Sequence, residues 1–195
     1  QYLEDLKNFE SSCAILTDFA NSYQHDELTI HTLRTQLKMT RLAYKQTEFL
    51  TAYFQPQAVN NYINGAPLPK IDPVIPALEI IPPNGLQTLD ELIFSEDPGE
   101  SRSEIYNLAK KLSNDVKVPI QFLKNKPFQH RYIMEAVRSE LIRIYTLGLT
   151  GFDTPGSVQA IPEAQSSLYG MIQALKQYEE LALSRGIQKQ YQALI

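Results

Sequence analysis

Cysteine and histidine are scarce in this chain of 195 residues: one of the first, three of the second, and no tryptophan at all. A single cysteine excludes an intrachain disulfide, a thiolate zinc cluster, an iron–sulfur cluster and a C-x-x-C-H haem attachment within these residues. The histidines supply no metal set. His25 and His31 straddle an expected helix start, His130 is distant, and no H-E-x-x-H occurs. A G-x-S-x-G nucleophile elbow, a G-x-G-x-x-G fingerprint and a phosphate loop are missing as well. Positive charge is also short. Eighteen Lys and Arg against 22 Asp and Glu leave a net charge of −4, which argues against a partner held through nucleic-acid phosphates.

No apolar run approaches the roughly 18 residues of a membrane-spanning helix, and no cationic segment leads into a short apolar run as in a secretory signal. The chain opens at Gln1 and not at Met, as expected of a processed or excised piece. One unpaired thiol suits the cytoplasm and an export route equally. What is present is core: 43% hydrophobic residues, in a chain long enough to bury about 70% of its unfolded surface as one domain.

Only 8 glycines occur, and of the 12 prolines Pro56, Pro67, Pro69, Pro73, Pro76, Pro82 and Pro83 fall in one stretch. On either side the apolar residues follow helical spacing. Leu6, Phe9, Cys13, Leu16 and Phe19 define one stripe, which makes Cys13 a small buried hydrophobe and not a reactive thiol. Asp26 or Thr29 caps a second helix running to about Phe54. Residues 55–84 carry no such pattern and read as a proline-rich strap, with Ile75, Leu78, Ile80 and Ile81 lying across the helices. A short helix over 86–94 follows, then one from Ser101 or Ser103 to about Val116, broken at Val118-Pro119. Ile133, Val137, Leu141 and Ile144/Tyr145 mark the next, ended by Gly148 and Gly151. The last long helix starts with Pro162 at its first position and Glu163 in its first turn, with Leu168, Met171, Ile172, Leu175 and Tyr178 as its core face. The expected fold is an all-α bundle of about six helices with the strap at 55–84. Residues 1–195 form a single helical domain, with 187–195 opening a linker.

The second helix breaks its own pattern. Ile30, Leu33 and Leu37 continue at helical steps to Thr40/Arg41, Tyr44 and Glu48, so Arg41 and Glu48 share a face with Tyr44 between them. Two readings stand: an ion pair tying the helix to a neighbour, or a polar pocket in the bundle interior. Arg138 lies next to core Val137, from where its head group would reach a carboxylate such as Glu48. Glu140 and Arg143 read as solvated surface. The adjacent carboxylates Glu179-Glu180 and Asp90-Glu91 point about 100° apart on a helix and make no acid–base pair alone. Most of the 11 tyrosines are expected in packing.

Several segments, in order, resemble a known family. They are Arg41-x-Ala43-Tyr44-Lys45-x-x-Glu48-Phe49-Leu50-x-x-Tyr53-Phe54, then Asn64-Gly65-Ala66-Pro67-Leu68-Pro69 and Pro83-Asn84-Gly85-Leu86-Gln87. Thr146-Leu147-Gly148-Leu149-Thr150-Gly151-Phe152-Asp153 and Pro162-Glu163-Ala164 follow. Together, over about residues 30 to 175, they resemble the helical N-terminal region ahead of the haem domains in a group of bacterial di-haem cytochrome c peroxidase-like proteins. The resemblance implies an exported, periplasmic or envelope-facing protein whose haem c and peroxide chemistry lie outside this chain. The partner would be a downstream haem domain or a redox protein, and this chain would hold no cofactor, no metal and no catalytic residue.

A more distant resemblance is to imelysin-like helical bundles, whose signature is G-x-H-x-x-E on a short helix before an apolar run. Here it reads Gly85-x-Gln87-x-x-Asp90, followed by Leu92-Ile93-Phe94. Gln87 in place of His and Asp90 in place of Glu put metal binding and peptidase action in doubt. The candidate site is therefore a polar pocket of Arg41, Tyr44, Glu48, Gln87, Asp90 and Arg138. The alternatives are an imelysin-like peptidase or metal-binding protein and a free-standing binding bundle.

Overall fold

In a computed structural model, residues 1–72 and 79–193 are described, and they form an all-α bundle. The chain builds α1 (Tyr2–Gln24) and α2 (Ile30–Phe54), then a short α3 (Pro56–Ala58) that runs into a π-helical turn at Val59–Ile63. A two-stranded ribbon, β1 (Lys70–Asp72) and β2 (Glu79–Ile81), is followed by α4 (Leu86–Phe94), α5 (Arg102–Asp115) and α6 (Lys117–Lys124). Then come α7 (His130–Arg143), a second π turn at Ile144–Gly148, α8 (Ala160–Lys176), α9 (Glu179–Ser184) and α10 (Gln188–Gln192).

The first helices follow from local chemistry. Thr29 sits in extended backbone before α2, and its hydroxyl accepts from the Thr32 amide at 3.4 Å, the usual device for an orphan N-terminal donor. Asp26 occupies the left-handed turn just before it, with φ of 61°, and is not the cap. Leu6, Phe9, Cys13, Leu16 and Ala20 of α1 are buried, with Leu33, Leu37 and Tyr44 of α2. These join Leu86, Leu89 and Ile93 of α4 and the apolar face of α5 and α6 in one core cluster. A second cluster joins Phe49 and Leu50, near the far end of α2, to Ile133 and Val137 of α7 and Met171 and Leu175 of α8. Helix α2 serves both, packing against α1, α4, α7 and α8.

α8 crosses α2 closely because its facing side chains are small. A Cβ at Gly170 would lie 2.1 Å from the Gln46 carbonyl oxygen, and the Ser166 hydroxyl donates to the Leu42 carbonyl at 2.8 Å. The expected core face of α8 is accordingly turned: Ser166, Ser167 and Gly170 are buried with Met171 and Leu175, while Leu168 is exposed and Ile172 half-buried. Pro162 is not the first helical residue, since α8 opens two positions earlier at Ala160.

Other expectations are corrected too. Residues 55–84 are not patternless: Pro56 opens α3, where a missing N–H costs nothing, and Val59 and Ile63 are buried. The ribbon does not lie across the helices through Ile80, which is 69% exposed, as is Ile71 opposite it at 67%. Ile75 and Leu78 lie outside the described residues. On α7, Ile133, Val137 and Ile144 are buried, but Leu141 and Tyr145 face outward. The last expected helix breaks at Tyr178; further on, Gln188–Gln192 form α10, where buried Tyr191 donates its hydroxyl to the Leu175 carbonyl at 3.1 Å. Residues 194 and 195 lie outside the described residues.

Candidate functional site

Between the two apolar clusters α2 carries charge. Arg41, Lys45 and Glu48 occupy successive turns of its inward face, each at most 3% exposed. Isolated buried charges of this kind are costly, so their partners define the site. Arg41 makes a two-pronged pair with Glu163 of α8: Nε donates to Oε1 at 2.5 Å and Nη2 to Oε2 at 3.0 Å. Nη2 also donates to the Asp153 carbonyl at 2.5 Å. Lys45 Nζ donates to Glu48 Oε2 at 2.6 Å and to Asp153 Oδ2 at 2.7 Å.

Asp153, from the loop after the second π turn, is the hub. Its Oδ1 accepts from Gln87 Nε2 at 2.9 Å and from Asn64 Nδ2 at 3.3 Å. Burial alone would raise the Asp153 pKa, but Lys45, by charge and hydrogen bond, and then Arg41 hold it below the ordinary value. Burial likewise opposes the charge on Arg41 and Lys45, and their carboxylate partners more than offset it, so both pKa values are raised.

Three elements deliver these partners. The π turn at 59–63 ends in Asn64, which bridges backbone to Gly85. Gly85 has φ of 90°, and a Cβ there would lie 2.6 Å from the Ile63 carbonyl oxygen, so glycine is required for the close approach. That approach starts α4 with Gln87 and Asp90 inward. Asp90 Oδ2 accepts from the amides of Gly156 and Ser157 at 2.8 and 2.9 Å, which pins the loop carrying Asp153. Asp90 Oδ1 stands 4.0 Å from Arg41 Nε.

The far end of the network is less saturated. Tyr44 donates its hydroxyl to Glu48 Oε1 at 3.2 Å. Arg143 of α7 approaches Glu48 Oε1 at 3.8 Å and Glu140 Oε2 at 3.7 Å, both longer than a hydrogen bond. Burial, and then the neighbouring Glu48 carboxylate, push the Glu140 pKa well above the ordinary carboxylate range. Three cations, Arg41, Lys45 and Arg143, thus face five carboxyl groups, Glu48, Asp90, Glu140, Asp153 and Glu163. A Glu140 pKa raised in this way extends its neutral form to higher pH and so eases that excess.

Of the residues singled out in the sequence, Arg41, Tyr44, Glu48, Gln87 and Asp90 come together in this network. Arg138 does not. It is exposed on α7, and Glu140 and Arg143, expected at the surface, take the inward positions. Arg41 and Glu48 are not partners of each other; Lys45 and Asp153 stand between them. Lys45, Asn64, Asp153 and Glu163 were the missed members. All four belong to the segments that carry the family resemblance, and that shared membership was the only signal for them.

The donor set does not fit a metal ion at the Gly85-x-Gln87-x-x-Asp90 motif. Gln87, whose amide nitrogen donates to Asp153, keeps its carbonyl oxygen without a partner among the described residues, but one oxygen of Asp90 is held by two backbone amides and the other faces the Arg41 guanidinium, whose charge opposes a cation there. Positive charge at this position is already supplied by the protein. Among the described residues no group of three or more His, Cys, Asp or Glu side chains is arranged to hold a metal. No helix described here is long and apolar enough to cross a membrane. No family model, curated protein or solved structure matches the chain.

Proposed function

We propose that this chain is a non-catalytic docking module of an exported di-haem cytochrome c peroxidase-like protein, periplasmic or facing the cell envelope. Haem c, electron transfer and peroxide reduction belong to the downstream part of that protein. The module positions the haem domain or presents a surface to a redox partner.

Two features support this reading, and the second carries it. Most of the polar residues that would be candidates for chemistry are engaged in holding α2, α4, α8 and the 149–157 loop together. Large apolar side chains are exposed over one stretch of chain, including Ile142, Tyr145, Phe152, Val158, Ile161 and Tyr169, each at least 50% exposed. A contiguous exposed apolar patch marks contact with another protein surface, and we take these side chains as part of one. The loop between α7 and α8 that bears Phe152 and Val158 is the one Asp90 and Asp153 fix from inside, so the buried network sets the shape of the exposed face.

The coding sequence beyond Ile195 tests the proposal. Two C-x-x-C-H motifs are expected there, and a stop codon at that point overturns the haem-protein assignment. The rival assignment, an imelysin-like metal-binding or peptidase bundle, is separated from it by metal content.

A further inference from the structure

The net charge of −4 is unevenly spread along the chain. Residues 105–131 hold six Lys and Arg against one acidic residue, a net +5, which leaves −9 on the rest. That positive stretch covers most of α5, all of α6 and the segment leading into α7. Beside α6 lies an open cleft of about 880 Å³, at the upper end of the range of ligand sites.

Val118, Phe122 and Pro127 give the cleft apolar walls, and Lys117, Lys126 and Glu10 are its charged lining residues. Val118 is 77% exposed and Phe122 44%, while Ile120 and Leu123 are buried in the core, so α6 carries apolar side chains on both faces. Glu10 is neutralised by Lys124, whose ammonium donates to its Oε2 at 2.8 Å. The Lys126 ammonium stands 5.2 Å from the centre of the Phe122 ring, which puts positive charge on the apolar wall itself. Lys117 donates to the neutral Asn114 side chain at 2.9 Å. Neither Lys117 nor Lys126 pairs with a carboxylate among the described residues.

Charge and shape together select the occupant. Two cations beside an apolar wall suit carboxylates that flank a large apolar side chain. A simple anion would leave Phe122 and Val118 uncovered. An extended polyanion, a nucleic acid or an anionic bilayer, would meet the acidic remainder of the chain. A second copy of this chain is a poor occupant. Its exposed acidic stretch of Glu96, Asp97 and Glu100 adjoins Phe94, whose ring packs on the core beneath Arg34 and Lys38. We propose that the cleft beside α6 docks a short acidic segment of a partner protein, with an aromatic or large aliphatic side chain against Phe122 and carboxylates on Lys117 and Lys126. This surface belongs to α6 and not to the 142–169 stretch, and its occupancy does not depend on a haem-bearing parent.

The test is an amide-resonance titration of the isotopically labelled chain in low salt with three capped peptides. They are Asp-Glu-Phe-Asp-Glu, its uncharged counterpart Asn-Gln-Phe-Asn-Gln, and Asp-Glu-Gly-Asp-Glu. The first is expected to give saturable shifts at Val118, Gln121, Phe122 and Asn125, with a dissociation constant of about 1 mM. The other two are expected to bind at least about threefold more weakly, for want of two exposed ion pairs or of one seated ring. Lys117→Gln/Lys126→Gln is expected to weaken the first peptide by a similar factor. So is Val118→Asp, which sets a like charge in the cleft at a position exposed enough to leave the fold intact. Lys176→Gln, exposed on α8, is expected to change nothing. The docking site is overturned if the acidic peptide gives no saturable shift at these residues or the uncharged one binds as tightly. It is overturned too if the folded double-lysine variant binds like the unaltered chain. Shifts at these residues caused by phosphatidylserine vesicles or by concentrating the chain, and not by the peptide, would also overturn it, in favour of a membrane or a second copy.

Discussion

Replacing Arg41 by methionine separates a structural lock from a decorative ion pair. The guanidinium and the Glu163 carboxylate are 1% and 3% exposed and joined by two hydrogen bonds, and Arg41 also holds the Asp153 carbonyl. Methionine keeps much of the volume and removes the charge. It leaves Glu163 buried without its main partner and the Asp153 carbonyl without its donor. Breaking one side of such a pair costs about 3–5 kcal/mol. Lys45, 3.9 Å from Glu163 Oε2, compensates in part and draws the value toward the lower end. For a chain of this size each kcal/mol moves the melting temperature by about 2–4 °C, so a fall of roughly 6–20 °C is expected.

The companion variant Arg41→Met/Glu163→Leu removes both charges. A buried ion pair replaced by apolar residues of similar volume is often neutral, so the double variant is expected to recover at least about half of the loss. The remainder reflects the unpaired Asp153 carbonyl, worth about 1–3 kcal/mol. Urea unfolding followed by helical circular dichroism measures all three proteins. A loss below about 1 kcal/mol for Arg41→Met, as for a surface pair, would refute the reasoning; so would a double variant no more stable than the single one.

Two further perturbations probe the same architecture. The Glu140 carboxyl, facing Tyr44, Lys45 and Glu48 of α2 and Arg143 of α7, holds its proton to higher pH in the folded chain than in the unfolded one. Its contribution to stability must therefore decline as pH rises from its ordinary value of 4.5 toward its raised folded value, where the unfolded chain has already released the proton. Stability measured across that window is expected to fall less steeply in Glu140→Gln, and an unchanged slope would refute the assignment. Gly170→Ala drives a methyl group against the Gln46 carbonyl and is expected to cost at least about 1–3 kcal/mol in chemical denaturation. Gly148→Ala, whose added Cβ meets no atom within 4 Å, is the control and is expected to be tolerated; equal effects at the two positions would contradict the close crossing of α2 and α8.

Much of the fold was legible in the sequence because it is local. The cap at Thr29, the stripe of α1 and the bounds of α4 depend on spacing and on residues a few positions away. The misreadings have non-local causes. On α7 Glu140, facing the charges of α2, takes the inward position, so a stripe carried through Leu141 in steps of four drifts off the buried face and reaches Tyr145, which the structure leaves 75% exposed. The inward face of α8 is made of Ser166, Ser167 and Gly170, and these read as interface only when the approach of α2 is known. The site divides in the same way. Arg41 and Glu48 stood out because they interrupt an apolar face on one helix. Asp153 and Glu163 lie on a loop and in the first turn of another helix, more than 100 positions away, and spacing carries no trace of such pairings.

At the centre of this account is the claim that Gln87 and Asp90 hold α4 to the Asp153 loop and bind no metal. Elemental analysis of the chain, purified without chelators and incubated with zinc, copper and iron salts before desalting, tests it directly. Well under about 0.1 equivalent of each metal per chain is expected, because the Arg41 guanidinium already faces the free oxygen of Asp90. Close to one equivalent of a metal, lost in Gln87→Ala and Asp90→Ala, would contradict the account and make the bundle a metal-binding protein.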